Sequence, residues 1–353
     1  MSRTMLAYRL VDWETPPEVV EIDVPRPGPG QVLVKVDGNG LCHSDSAMAQ
    51  IPKSIGEMIG WQMPFTLGHE VGGWIEELGE GVSGFAPGEA VVLVSPHSCG
   101  SCAYCQQGHD SACLEGGAGR GYGRDGGLAD YVLAPAPREV IKLATLDPVT
   151  AGPLTDAGAT SYHAVKRVLR VLVPGSTAVV IGAGGLGAFA VQFLRVLSPA
   201  RVIAVDANPA RLEVAARLGA HEVVSGVDDA TGAQLDAFTE GRGAEAVLDF
   251  VGVDATIGAG LAVTRKAGAF ALIGAAGGRF KKAWYGGLPS EAEIFTFQGS
   301  TIVHVREVIA LAEAGLIRNE VDLFSFSEVG QAYERLEAGS LRGRAVVRPA
   351  HLG

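Results

Sequence analysis

The sequence is short of several things, and each shortage removes a class of protein. It holds only 5 cysteines in 353 residues, an odd number. That does not suit a framework of paired disulfides and points to thiolates on a metal in a reducing, cytoplasmic compartment. Positive charge is scarce. The 28 Lys and Arg stand against 39 Asp and Glu, a formal net charge of −11, with no basic cluster to interrupt the balance. No nucleic-acid partner is therefore expected. The one uncharged run long enough to raise a membrane question, Val171 to Leu194, contains Pro174 and several glycines. It reads as strand, turn and helix, so no membrane span is expected. Near the start Leu6, Tyr8 and Leu10 alternate as in a strand, which leaves no pattern of a secretory leader. There are no repeats and no low-complexity linker.

What is present organises itself around residues 177 to 206. Thr177 to Ile181 is a short apolar, β-branched run of the kind buried on both faces of a sheet. It feeds into Gly182-x-Gly184-x-x-Gly187, then an apolar helix-compatible segment from Ala188 to Leu197, then a second buried run, Val202 to Val205, ending on Asp206. Strand, glycines, helix, strand and acid in that order predict a dinucleotide site. Gly182 allows the tight turn, Gly184 admits a pyrophosphate close to the backbone, and Gly187 lets the helix pack on the strand. Gly185 and Leu186 complete that turn, whose free N–H groups and helix dipole suit an anion. Asp206, 19 residues beyond Gly187, can accept hydrogen bonds from ribose hydroxyls and would repel a 2′-phosphate, favouring NAD over NADP. Arg211 lies close by as a basic counterweight in the same cofactor-binding set.

The length suggests two domains. Residues 1 to about 155 are rich in short β runs, among them Val32–Val36, Gly72–Glu77 and Ala90–Val94, punctuated by turns such as Pro25-Arg-Pro-Gly-Pro-Gly30. They predict a compact β-barrel-like domain. From Thr155 to Arg170 the pattern turns helical, and alternating strands and helices follow through Val247–Val251 and Phe270–Ile273. Beyond 300, helices are expected around Glu307–Ala314 and Glu334–Ala338, with a last strand, Ala345–Val347, rejoining the first domain. The predicted boundaries are 1–157, 158–299 and 300–353.

Within the first half, Cys99-x2-Cys102-x2-Cys105-x7-Cys113 brings four thiolates to one centre. Four sulfurs at about 2.3 Å make a closed tetrahedral zinc site, which is structural. An iron–sulfur cluster is the alternative; the polar neighbours Gln106, Gln107, His109 and Asp110 suggest an exposed lobe and favour zinc. The fifth cysteine, Cys42, lies in Gly40-Leu-Cys-His-Ser-Asp45. His69 sits in the Gly-rich stretch Gly68-His-Glu70, and Asp156 in Leu154-Thr-Asp-Ala-Gly-Ala-Thr160. One sulfur, one nitrogen and one oxygen with an open fourth place describe a catalytic zinc.

These motifs, in this order and at this spacing, resemble the zinc-dependent medium-chain alcohol dehydrogenases over essentially the full chain. The resemblance implies an α/β protein with a Rossmann dinucleotide-binding domain and a GroES-like β-barrel catalytic domain. It further implies two zinc ions per chain, NAD as cofactor, and a homodimer or homotetramer formed through edge strands of the cofactor domain. By it Cys42, His69 and Asp156 are the catalytic zinc ligands, Glu70 is the glutamate beside the metal, and Asp45 orients the ligand histidine. Asp at the third ligand position resembles the bacterial branch acting on secondary alcohols and ketones. Ser44 matches the hydroxyl that takes the substrate proton. In many relatives that relay continues to a histidine three positions on, here Ala47, leaving His43 or water as the exit. His43 otherwise meets a cofactor phosphate, Thr160 and Ile273, Gly274 and Ala275 flank the nicotinamide, and Arg344 meets the pyrophosphate. Met58 and Trp61 belong to an apolar segment expected to shape the substrate pocket, or else to pack an interface. Ser95 stands where some relatives carry a bulky aromatic, opening room for medium-sized or aryl carbonyl compounds. Rival readings are a polyol dehydrogenase with the same zinc, a zinc-free quinone or enoyl reductase, and a non-catalytic nucleotide-binding protein.

Overall fold

The computed structural model describes residues 3–95, 97–227 and 229–352. The chain forms two compact units, Met1–Ala159 with Gly299–Gly353, and Thr160–Gln298.

The second unit is built on a six-stranded sheet in the order Glu222–Ser225, Arg201–Asp206, Thr177–Ile181, Ala244–Asp249, Thr264–Leu272 and Glu293–Thr296. Every neighbouring pair is parallel. Parallel strands need crossovers, and helices Gly185–Leu197, Pro209–Arg217, Asp229–Phe238 and Asp254–Val263 supply them. Val179, Ile203, Val205, Val247 and Phe270 lie in one buried cluster, which explains why these strands read as continuous apolar runs. Chain order reverses between Thr177–Ile181 and Ala244–Asp249, the switch point at which such sheets bind ligands beyond their C-terminal strand ends.

One strand ends earlier than the apolar run suggests. The run Val247–Val251 stops at Asp249, because its Oδ1 accepts the N–H groups of Val251 and Gly252 at 2.8 and 3.0 Å and turns the chain. The helix expected from Ala188 begins at Gly185. The helix expected from Glu307 begins at Ile302, where the Thr301 hydroxyl accepts the His304 N–H.

The first unit is mostly antiparallel β. A seven-stranded sheet is centred on Gln31–Gly40, which pairs with Glu70–Leu78, with Tyr131–Pro135 and with the C-terminal strand Arg344–Val347. Val32, Val34, Val36, Val71, Ile75, Val91 and Leu93 fill one core. The close packing of the central strands depends on absent side chains. A Cβ on Gly40 would lie 1.9 Å from Glu70 Oε2, and one on Gly72 2.0 Å from the Pro148 carbonyl oxygen. Among the described residues no helix is long and apolar enough to cross a membrane.

Candidate active site

The first unit brings together three side chains that lie far apart in sequence. Cys42 caps the short helix His43–Met48 in an extended conformation. His69 leads into the strand Glu70–Leu78. Asp156 lies between the 3-10 turn Gly152–Thr155 and the helix Ala157–Val168. Gly68 makes the placement of His69 possible: its φ is +96°, and a Cβ there would meet Asn39 and the Leu128 nitrogen within 2.8 Å. One donor atom from each of Cys42, His69 and Asp156 lies within 4.8 Å of the other two. His69 Nε2 is 3.4 Å from Asp156 Oδ2.

The support around these donors is buried and polar. Asp45 Oδ1 is 3.2 Å from His69 Nδ1, and its Oδ2 accepts the Cys42 N–H at 2.9 Å and the Tyr333 hydroxyl at 3.0 Å. A carboxylate at Nδ1 fixes the tautomer that keeps the Nε2 lone pair for a metal. Burial alone would lower the His69 pKa, but Tyr122, Asp45 and Asp156 together hold it well above the ordinary value. Burial likewise favours a neutral Asp156 and is outweighed by His69 and Arg344, so its pKa is lowered. Glu70 is fully buried against Arg344, whose Nε donates to Oε2 at 3.1 Å and whose NH2 group donates to Oε1. Desolvation raises the Glu70 pKa even against that guanidinium. A sulfur, a nitrogen and an oxygen donor converging within 4.8 Å are the donor set of a catalytic zinc site, a kind of site that keeps its fourth place for substrate, and these residues fit it.

The four-cysteine lobe is different in kind. The sulfurs of Cys99, Cys102, Cys105 and Cys113 lie within 4.8 Å of one another and form no disulfide. Backbone N–H groups point at them, from Cys102 to Cys99 Sγ and from Cys99 to Cys113 Sγ, both at 3.3 Å. The Ser101 hydroxyl and the backbone N–H groups of Ser101 and Cys102 pull the Cys99 pKa down to about 6, while burial pushes Cys105 up to about 12. Four thiols, with no fifth donor grouped with them among the described residues, fit a closed zinc site. Asp110 ties the lobe to its surroundings, pairing with Arg138 at 2.5 Å and accepting the Ile302 N–H at 3.0 Å.

In the second unit the glycine turn has the geometry a pyrophosphate needs. Gly182 has φ +86°, and a Cβ on Gly187 would strike the Gly182 carbonyl oxygen at 1.8 Å. Gly184 differs, since the atom nearest to a Cβ there would be Arg211 Cζ at 3.6 Å. Its bareness leaves the backbone approachable rather than serving packing. Asp206 is buried at its strand end, Oδ2 accepting the Ala183 N–H and Oδ1 the Asn208 N–H, both at 2.8 Å. Arg211 lies 3.8 Å from Asp206. Ile273 and Gly274 both donate their N–H groups to the Asp249 carbonyl at 2.9 Å, at the same C-terminal edge of the sheet, and Ala275 follows them, exposed. Thr160 is buried, and the neighbouring Ser161 donates to the Leu186 carbonyl at 2.7 Å, bracing the turn.

The remaining expected positions have varied surroundings. Met58 is 76% exposed at the end of its helix rather than enclosed in a pocket. Trp61 is core: it packs edge-on to Phe65 and its indole N–H donates to the Gly117 carbonyl at 2.8 Å. Ser95 is buried. Arg344, expected against a cofactor phosphate, is 4% exposed with its guanidinium engaged by Glu70. His43 and Ala47 are exposed, and Ser44 is half-buried. Two phenols at the site were not anticipated, Tyr333 on Asp45 and Tyr122. Tyr122 Oη is 3.1 Å from His69 Nε2 and 3.2 Å from Ser44 Oγ. Only the glycines on both sides of Tyr122 hinted that the backbone there had to pass close to something.

A parallel nucleotide-type sheet with its glycine turn in one unit, and an S/N/O cluster with a four-thiol lobe in the other, define a metal-dependent dinucleotide-linked dehydrogenase. Comparison with known proteins gives the family. Residues 28–145 match the alcohol dehydrogenase GroES-like domain and residues 185–314 the zinc-binding dehydrogenase domain. The chain is 35% identical over 353 residues to an NAD-dependent alcohol dehydrogenase of Sulfurisphaera tokodaii, covering 98% of this chain and 100% of that protein. The solved alcohol dehydrogenase of Aeropyrum pernix superposes with a TM-score of 0.90 at 36% identity, over 98% of this chain and 100% of that one. Acetophenone reductase from Geotrichum candidum, solved with NAD, superposes with a TM-score of 0.85 at 27% identity, over 99% and 98%. The chain belongs to the zinc-dependent medium-chain alcohol dehydrogenase family.

Proposed function

We propose that the protein interconverts hydrophobic secondary alcohols and ketones with NAD(H), using Cys42, His69 and Asp156 to hold a catalytic zinc and the four cysteines of the lobe to hold a structural one. The observation that carries this reading is the convergence of three unlike donors within 4.8 Å, two of them half-buried around a fully buried His69. Zinc held there supplies Lewis acidity that lowers an alcohol's pKa, and NAD at the glycine turn supplies the hydride acceptor.

The chain's own part follows from its geometry. Asp45 holds His69 in one tautomer, and Tyr333 holds Asp45. The Glu70–Arg344 pair keeps a second carboxylate beside the cluster without adding net negative charge to it. Ser44 Oγ receives the proton of a substrate hydroxyl. Ala47 offers no onward acceptor, so we assign the proton's exit to water or to exposed His43. Asp206 is clamped by two backbone N–H groups and cannot swing away from a 2′-phosphate, which supports NAD over NADP. The likeness to an acetophenone reductase supports an aryl or medium-sized ketone. The absence of disulfides among the five cysteines supports a reducing, cytoplasmic setting. The outermost strand Glu293–Thr296 is the place for a second copy to extend the sheet into a dimer.

The test is absorbance at 340 nm with a hydrophobic methyl ketone and NADH, then NADPH, before and after metal stripping. The expected outcome is NADH oxidation, faster than with NADPH, that stops on stripping and returns with zinc. Oxidation that survives stripping would place the chain with the zinc-free reductases.

A further inference from the structure

The phenol of Tyr122 has no part in the mechanism above, yet it lies among the groups that perform it. Its ring is tilted 37° over the His69 imidazole with centroids 4.6 Å apart. Backbone contact puts it there. Gly121 has φ +72°, and a Cβ on it would lie 2.8 Å from the carbonyl carbon of Gly68, the residue before His69. Gly123, with φ +73°, would bring a Cβ to 2.5 Å from the Trp61 indole. Only glycine on each side lets this segment press against the histidine.

The position of the oxygen is informative. Adjacent donors on a tetrahedral zinc with bonds of about 2.0 Å lie about 3.3 Å apart. Asp156 Oδ2 is 3.4 Å from His69 Nε2, and Tyr122 Oη is 3.1 Å from the same nitrogen. The phenol oxygen therefore stands at a donor's distance from Nε2 without belonging to the S/N/O set. It is also 3.2 Å from Ser44 Oγ, the hydroxyl assigned to the substrate proton. With Nδ1 facing Asp45, the Nε2 lone pair is kept for the metal, so the hydrogen bond left to the phenol in the zinc-loaded enzyme is the one it shares with Ser44 Oγ.

From this we propose that Tyr122 is an internal stand-in for the substrate oxygen: in the resting enzyme its Oη takes the place and the Ser44 hydrogen bond that an alcohol or carbonyl oxygen must take. The proposal rests on the reading of Cys42, His69 and Asp156 as the catalytic site. Substrate entry then requires the phenol to rotate away. Small or weakly held substrates carry the full cost of that displacement, while those with a large apolar body offset it by burial. Tyr122 is thus a determinant of substrate choice that acts on binding and not on the chemical step.

The test is calorimetric titration of the zinc-loaded, NADH-saturated enzyme with benzamide, a carbonyl donor that cannot accept hydride under these conditions. Tyr122→Phe keeps the ring on His69 and removes only the oxygen and its hydrogen bonds. The variant should bind benzamide about tenfold more tightly than the parent, the scale of one or two net hydrogen bonds released. KM for a small secondary alcohol should fall in step, with kcat little changed. Equal affinity in the two proteins would overturn the stand-in role, and so would weaker binding by the variant, which would show the phenol donating to the bound oxygen instead. His69→Ala separates the two levels of the argument. If benzamide binds this variant as well as the parent, the site reading itself fails and the role of Tyr122 fails with it.

Discussion

The two cysteine-containing clusters of the first unit, the mixed S/N/O cluster and the four-sulfur lobe, are built on opposite principles. In the lobe the ligands lie within 15 residues of one another, Cys99 to Cys113, and the thiolates are steadied by backbone N–H groups of the same loop. In the mixed cluster they come from positions 42, 69 and 156, and buried side chains from still further away steady them: Asp45, Tyr333, Glu70 and Arg344. A local, self-supporting set with four equal donors closes around a metal and leaves no room for chemistry. A set assembled by the fold, with one place left over, depends on every layer beneath it. On the proposed reading, the difference separates a metal that would hold a loop from a metal that would do chemical work.

Breaking one cluster at a time sharpens this contrast. The largest expected effect on activity is from Cys42→Ala. Losing a Lewis acid worth several kcal/mol should lower kcat/KM by about 10³-fold or more, while the thermal midpoint moves only a few degrees. Cys105→Ser should do the reverse. The loss of about 7 kcal/mol of metal-coupled stability, roughly half of what a structural zinc contributes, should lower the midpoint by about 10 °C, with activity at low temperature falling much less. Paired melting curves and steady-state kinetics check both, and similar profiles for the two variants would erase the distinction. A smaller effect is expected from Asp45→Asn, which keeps the volume and removes the charge facing Nδ1. Metal affinity at the mixed cluster should fall about 10- to 100-fold, read by competition with a chromophoric chelator, with the lobe's affinity unchanged. The lobe has no counterpart to Asp45, so the same chelator titration serves as its own control.

How far the site could be read in the sequence follows the same division. The lobe and the glycine turn are local motifs whose geometry is set by spacing, and both are visible in the residues alone. Cys42, His69 and Asp156 stand out as candidate donors by residue type, but only the family resemblance assigns them to one metal, since nothing in their spacing brings them together. Tyr122 and Tyr333 are invisible in the sequence because the phenols reach the site from a tight turn and from a helix whose neighbours are decided by topology. Arg344 shows the same limit: a basic residue in a C-terminal strand gives no sign that its partner is Glu70, 274 residues away. Trp61 and Met58 belong to one apolar segment, yet one is core and the other surface, because Met58 ends a six-residue helix too short to reveal its buried face and Trp61 follows it beyond a turn. Asp249 ended its strand through a side-chain hydrogen bond that hydrophobic patterning does not register.

The most direct test is a time course of zinc content and activity under a mild chelator at a temperature where the fold persists. The account predicts two zinc ions per chain at the start. One should leave the open S/N/O cluster first, taking NADH-dependent ketone reduction with it in proportion, while the other stays in its four-sulfur lobe until the protein unfolds. If full activity persists after the first zinc has gone, or if both ions leave together while the fold stands, the assignment of one open and one closed metal site is wrong.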